Sequence, residues 1–198
     1  MSSGLERQRG PESKKEEYII VEVGSGGLPY IDSPRVSAGY AQRFRDDASI
    51  YFIATDHSGG ALAAGRDSFK AHSVNQLDKT GRVHFVIASG SYLPFRDASV
   101  SEVILRNVLG DQETKEPLEM MREVERVLKV GGILKVIEMY TPQVARLKMD
   151  YLSRVKTLER LPDAEKTGFM DETETDRAML RNSPTGFVAR FRKKELAS

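Results

Sequence analysis

The residues best suited to chemistry begin in a run that breaks into glycines, Tyr18-Ile19-Ile20-Val21-Glu22-Val23-Gly24-Ser25-Gly26-Gly27. So short a β-branched run specifies a buried strand, and glycines directly after it let the backbone turn sharply and approach a ligand closely. Two readings stand at this level: a nucleotide-binding turn, or a plain strand followed by a loop. Asp56 closes a second run, Ile50-Tyr51-Phe52-Ile53-Ala54-Thr55. An acid at a strand end can accept hydrogen bonds from ribose hydroxyls, or it can simply be solvated. The Gly-x-Gly-x-x-Gly of dinucleotide enzymes is not matched, because Gly27-Leu28-Pro29 follows, and that proline sits badly with a helix N-terminus aimed at a pyrophosphate. A ligand with adenosine and no pyrophosphate suits the pattern better. The chain has no cysteine, which removes disulfides, thiol nucleophiles and thiolate metal sites together. His57, His72 and His84 are scattered, which argues against a histidine metal site. Ser25 and Ser91 read as loop hydrogen-bonders, since no Ser-His-Asp order accompanies them.

Strands must place these residues at one end of a sheet. After the first run, Val36, Tyr40 and Phe44 share a helical stripe behind Pro34, and the Ala-rich segment 59–71 predicts a second helix. Further strands are expected at Val83–Ile87, Val103–Leu105 and Ile133–Glu138. The clearest helix lies between the last two: Leu118, Met121 and Leu128 recur at helical spacing, Thr114 suits an N-cap, and Gly131-Gly132 is read as its stop. Val144, Leu147, Tyr151, Val155 and Leu158 predict one more long helix, and segments near 172–180 and 187–191 flank the turn at 182–186 as a hairpin. Strands alternating with helices indicate a mostly parallel α/β sheet with helices on both faces.

With 198 residues and 39% hydrophobic content, the chain suits a single domain, placed at 18–194, behind a polar tail at 1–17 expected to be flexible. Charged residues make up 30% yet cancel to a formal net charge of +1, so no global field draws in nucleic acid or an anionic membrane. Arg190, Arg192, Lys193 and Lys194 enclose one aromatic, Phe191, and read as a solvated edge. No apolar run approaches the roughly 18 to 20 residues of a membrane span, and the N-terminus lacks a signal-peptide hydrophobic region, so a cytoplasmic location is expected.

Four stretches, in order, resemble the class I S-adenosylmethionine-dependent methyltransferases. Val21–Gly27 looks like their first motif; Asp56 matches the ribose-binding acid; Ser89-Gly90-Ser91-Tyr92-Leu93-Pro94-Phe95-Arg96-Asp97 is similar to D-A-x-x-L-P-F-x-D; and Arg126–Gly132 is similar to R-V-L-K-P-G-G. The nearer resemblance is to the ubiquinone and menaquinone biosynthesis C-methyltransferases, through Leu105-Arg106-Asn107-Val108, Glu138 and Thr185–Ala189. Ser89 stands where the family has an acid, and most of the insertion that covers the substrate after Glu138 is lacking. The resemblance implies a Rossmann-like class I methyltransferase fold, a seven-stranded sheet with a C-terminal antiparallel hairpin. It implies S-adenosylmethionine as cofactor and S-adenosylhomocysteine as product, held by Glu22, Gly24, Ser25, Gly26, Asp56, His57, Ser89, Gly90, Ser91 and Asn107.

A sulfonium methyl is already electrophilic, so transfer asks for in-line placement of a nucleophile and removal of its proton where it is neutral. Near the cofactor face the candidates are Arg106, Asn107, Asp111, Tyr140 and Tyr30. Arg106 can hold an enolate or phenolate oxygen through its donor fork, and Asn107 can orient a polar substrate group; equally, both can cap the end of their strand. The expected acceptor is a small molecule, quinol-like or another aromatic or enol, with an open acceptor side completed by self-association or a partner subunit. The alternatives are a noncatalytic domain that serves as a binding or scaffold protein, and methylation of RNA or protein. The lack of an Asn-Pro-Pro-Tyr-type motif argues against the common amide and adenine N-methyltransferases.

Overall fold

The computed structural model describes residues 16–32, 34–72, 77–109, 116–138, 152, 155–161 and 187–195. Seven strands form one sheet: β1 (Tyr18–Val23), β2 (Ile50–Asp56), β3 (Val83–Ile87), β4 (Val100–Arg106), β5 (Leu128–Glu138), β6 (Leu158–Arg160) and β7 (Phe187–Lys193). Three helices are described, α1 (Pro34–Asp46), α2 (Gly59–His72) and α3 (Glu116–Val127). The spatial order is β3-β2-β1-β4-β5-β7-β6. The first five strands pair in parallel, whereas β7 runs antiparallel to both β5 and β6. This is the Rossmann-like arrangement implied by the resemblance, with an antiparallel pair at its C-terminal end.

Both faces of the sheet are covered, and β1 shows why its sequence is nearly continuous in apolar residues. Val21 and Val23 join a core with Val103, Leu105, Leu134, Val136 and the α3 residues Met120, Met121 and Val124. Ile20 faces the other way, into a core with Tyr40, Phe44, Phe52, Phe69, Ile104 and Ile137. Side chains alternate between faces along a strand, so Glu22 and Lys135 both point to this second side, where they are 0% and 1% exposed.

Three expectations are corrected by tertiary pairing. β4 starts at Val100 rather than Val103, which brings Ser101 and Glu102 into the sheet; Glu102 lies 3.7 Å from the guanidinium of Arg43. Gly131-Gly132 does not terminate α3. The helix ends at Val127, Leu128 already pairs with Val100, and the glycines form an irregularity inside β5 before Ile133 meets Glu102. Gly131, at φ 79°, supplies the left-handed backbone that this kink needs. Leu158, placed by spacing on a long helix, instead begins β6. Leu152 is helical, Val155 is not, and Lys156 and Thr157 form a turn into β6; the rest of that helix lies outside the described residues, as do Thr114, the segment 172–180 and the turn at 182–186.

Candidate active site

The chain runs from β1 through β2 to β3 toward one side of the sheet, then returns to lay β4 on the other flank of β1. Such a reversal leaves a crevice beyond the carboxyl ends of the strands, where ligands of open α/β sheets bind. The glycine loop opens into it. Gly24 (φ 69°) and Gly26 (φ 60°) both adopt left-handed backbone, for different surroundings. A Cβ on Gly24 would lie 2.8 Å from Val108 Cγ2, while one on Gly26 would meet nothing within 4 Å. Gly24 is therefore a packing position, and Gly26 faces open space.

Asp56 ties this loop to the second crossover. Its Oδ2 accepts from the Gly26 N–H at 2.9 Å and its Oδ1 from the Ser58 N–H at 2.8 Å. Ser58 in turn caps α2, its Oγ accepting from the Ala61 N–H at 3.2 Å. An ionised carboxylate has about four acceptor positions, so two contacts leave capacity for others. Ser25 N–H donates to the Thr55 carbonyl and the Thr55 hydroxyl donates to the Glu22 carbonyl, both at 2.9 Å. The Ser25 hydroxyl is buried without a hydrogen-bond partner among the described residues. His57 lies in the mouth, 85% exposed, with Nδ1 3.5 Å from Asp56 Oδ1.

Glu22 anchors the far side of the loop. Both carboxylate oxygens accept from the Tyr30 N–H, at 3.0 and 2.8 Å, and Oε1 lies 3.3 Å from Arg106 Nε. Burial raises its pKa to about 7, against the opposing pull of Arg106 and of the Tyr30 hydrogen bond. The Arg106 guanidinium also donates to the Leu28 carbonyl and, at 3.5 Å, to that of Ser25. It thus latches the glycine loop to the end of β4, the capping alternative weighed for this residue, and a group that also reached an acceptor would have to share these contacts. Asn107 follows in left-handed backbone (φ 54°), with its N–H on the Ile137 carbonyl at 2.9 Å.

Tyr30, a candidate for the cofactor face, is only 3% exposed, and the Lys135 ammonium donates to its hydroxyl at 2.9 Å. It braces the loop between β1 and β5. Asp111 and Tyr140 lie outside the described residues. Ser89, Gly90 and Ser91 gather at the end of β3, where the two hydroxyls are 2.9 Å apart. Gly90 is held by contact rather than open to the crevice, since a Cβ there would stand 3.2 Å from both Val23 Cγ1 and Met120 Cγ. Ile87 and Tyr92 are large apolar side chains left 67% and 78% exposed at the same end of the sheet, and Leu28 is 65% exposed at the loop tip. Sequence reasoning passed over Lys135 and Glu123. Lys135 carried a signal, a charge inside the apolar run Ile133–Ile137; Glu123 sits among other acids of α3 and carried none.

Comparison with known proteins accords with this geometry. The methyltransferase domain family profile matches residues 36–136. The chain belongs to this family. A demethylmenaquinone methyltransferase of Clavibacter sepedonicus is 34% identical over 104 residues, which make up 52% of this chain and 38% of the relative. The match therefore spans well under half of that protein. Among solved structures, the [4+2]-cyclase SpnF superposes with a TM-score of 0.58 at 19% identity, covering 91% of this chain and 77% of the cyclase. An S-adenosylmethionine-dependent methyltransferase from Methanosarcina mazei gives 0.55 at 21% identity, covering 92% and 95%. A methyltransferase in complex with the Haloferax volcanii Trm112 activator gives 0.56 at 18% identity, covering 93% and 86%. At these identities the likeness establishes the class I methyltransferase fold and nothing finer.

The donor set fits an adenosyl ligand. Gly26 is bare toward the crevice, Asp56 holds the loop with acceptor capacity to spare, and exposed apolar side chains stand at the same end of the sheet. Among the described residues no group of three or more His, Asp or Glu side chains could hold a metal ion. Nor is any described helix long and apolar enough to cross a membrane.

Proposed function

We propose that this protein is an S-adenosylmethionine-dependent methyltransferase acting on a small aromatic or enol acceptor, a quinol-like molecule foremost. The observation that carries the reading is Asp56, which fixes the open-faced Gly26 through one oxygen at the crevice between β1 and β4. The quinone-methyltransferase relative supports the acceptor class.

In this reading Ser25 and Gly26 hold the methionine end of the cofactor, with Asn107 beside them, on a loop that Glu22 and Gly24 shape through Tyr30, Arg106 and Val108. Asp56 and His57 hold the ribose, and Ser89 and Ser91 border the adenine, with Gly90 packed behind them on Val23 and Met120. When bound, S-adenosylmethionine supplies an electrophilic methyl on a sulfonium. Arg106 keeps the loop shut against β4 and offers its remaining donors to the acceptor oxygen as negative charge gathers there. Asn107 orients the acceptor. Positioning supplies most of the rate, because a nucleophile held in line pays its orientational entropy on binding. A second copy or a partner subunit completes the acceptor side; one neighbour of this fold is itself seen with an activator protein.

The test is transfer of a labelled methyl group from S-adenosylmethionine to short-chain hydroquinones and phenols. Transfer to one of these is expected, with an Arg106→Ala variant slower in kcat by about a hundredfold. Unchanged turnover in that variant would refute the role of Arg106. A noncatalytic binding domain is the second reading, favoured by the Arg106 contacts to the Leu28 and Ser25 carbonyls. It predicts that the protein binds the cofactor and transfers no methyl group to any small molecule, protein or RNA.

A further inference from the structure

One face of α3 runs along the loop that follows β3 and grips it at successive turns. Met120 meets the loop at Gly90, where the Met120 Cγ and Sδ would lie 3.2 and 3.3 Å from an added Cβ. One turn on, Glu123 Oε2 accepts from the Leu93 N–H at 3.0 Å. A further turn brings Arg126, whose guanidinium donates to the carbonyls of Leu93 at 3.0 Å and Phe95 at 2.9 Å, and to Asp97 Oδ1 at 2.7 Å. Arg126 also binds Glu123, with Nη2 2.8 Å from Oε2 and Nε 2.9 Å from Oε1. The backbone continues the attachment, since Ala98 N–H donates to the Arg126 carbonyl and Ser99 N–H to that of Val127, both at 2.9 Å. Residues 120, 123 and 126 lie on one helical ridge.

We propose that this ridge is a positioning device for the ligand: Glu123 and Arg126 hold the loop 89–97 in its ligand-competent place before anything binds, with no contact to the ligand of their own. The inference rests on the cofactor reading above, in which this loop borders the adenine. Loops of this kind are mobile unless tied, and a wall ordered in advance spares the ligand the cost of ordering it. Leu93 is fixed at both its N–H and its carbonyl, from two side chains that also fix each other. The Arg126 hydrogen bonds keep the Glu123 carboxyl below its ordinary pKa, so the clamp is ionised at neutral pH.

The test is calorimetric titration of the full chain with S-adenosylhomocysteine, paired with hydrogen exchange of the amides of 91–97. Arg126→Gln is expected to raise the dissociation constant about tenfold, to speed exchange in 91–97, and to leave the stoichiometry unchanged. Asp67→Asn is the internal control, because Asp67 pairs with Arg66 on α2, away from the clamp, is 69% exposed, and such pairs contribute little; less than a twofold change is expected. Should Arg126→Gln fail to fold, Glu123→Gln carries the test, with about a threefold rise expected. Wild-type affinity in the clamp variant, or a lower stoichiometry at unchanged affinity, would overturn the proposal and leave the cofactor reading intact. Failure of the wild-type chain to bind at all would overturn both.

Discussion

Gly24 and Gly26 share a backbone conformation and differ in surroundings, so alanine at each should separate packing from ligand binding. At either position a Cβ in left-handed backbone costs about 1–2 kcal/mol. At Gly24 the added methyl also lies 2.8 Å from Val108 Cγ2 and 3.3 Å from Cγ1. Val108 is only 9% exposed and has little room to yield, and overpacking of this kind adds about 1–3 kcal/mol. Gly24→Ala should therefore lose about 2–5 kcal/mol of unfolding free energy in urea titration, and Gly26→Ala about 1–2. In the double variant Gly24→Ala/Val108→Ala both methyls in collision are gone, and about 1–3 kcal/mol of coupling should return while the backbone strain stays. Calorimetry with S-adenosylhomocysteine should show the opposite ranking, Gly26→Ala losing more affinity because its methyl enters the open crevice. Equal costs at the two glycines, or no coupling between Gly24 and Val108, would refute the reasoning.

Glu22 makes a pH prediction. Its pKa is raised by burial from 4.5 to about 7, so between those values the folded chain binds more protons than the unfolded one and stability falls as pH rises. Urea midpoints should show Glu22→Gln gaining on wild type from pH 4.5 to 7, with a level difference outside that window; the reverse slope would contradict a buried, proton-retaining carboxyl. Gly65 on α2 offers a third prediction. A Cβ there would stand 2.9 Å from the Gly26 carbonyl oxygen and 3.1 Å from Pro29 Cδ. Gly65→Ala should destabilise the chain by about 1–3 kcal/mol in urea titration, although alanine is the better helix former; a more stable variant would show that α2 and the loop part freely.

What the sequence made legible was local. Strand, glycine loop and terminal acid are contiguous or nearly so, and the backbone demands of Gly24 and Gly26 are properties of those residues alone. The partners of these groups come from far along the chain. Glu22 reads as an organiser of the loop, but its contacts, the Tyr30 N–H and Arg106, depend on how the 3₁₀ turn Tyr30–Asp32 folds under β1 and where β4 ends. Arg106 reads equally as a donor to an acceptor and as a cap at the end of its strand, and no sequence pattern reveals that it reaches the Leu28 carbonyl. The boundary errors share one cause. Gly131-Gly132 carries the local signal of a helix stop, yet the pairing of Leu128 with Val100 draws the strand back to the end of α3. Leu158 keeps helical spacing with its predecessors, but the edge offered by β7 claims it.

The central claim is that the loop and Asp56 hold an adenosyl methyl donor, and one titration tests it most directly: the heat of binding of S-adenosylmethionine and S-adenosylhomocysteine to the wild-type chain and to Asp56→Ala. One-to-one binding of both is predicted for wild type. The variant should bind at least about tenfold more weakly, through loss of a charged hydrogen-bond acceptor for the ribose and of the tether on Gly26. No detectable binding to wild type at millimolar ligand, or equal affinity in the two proteins, would contradict it.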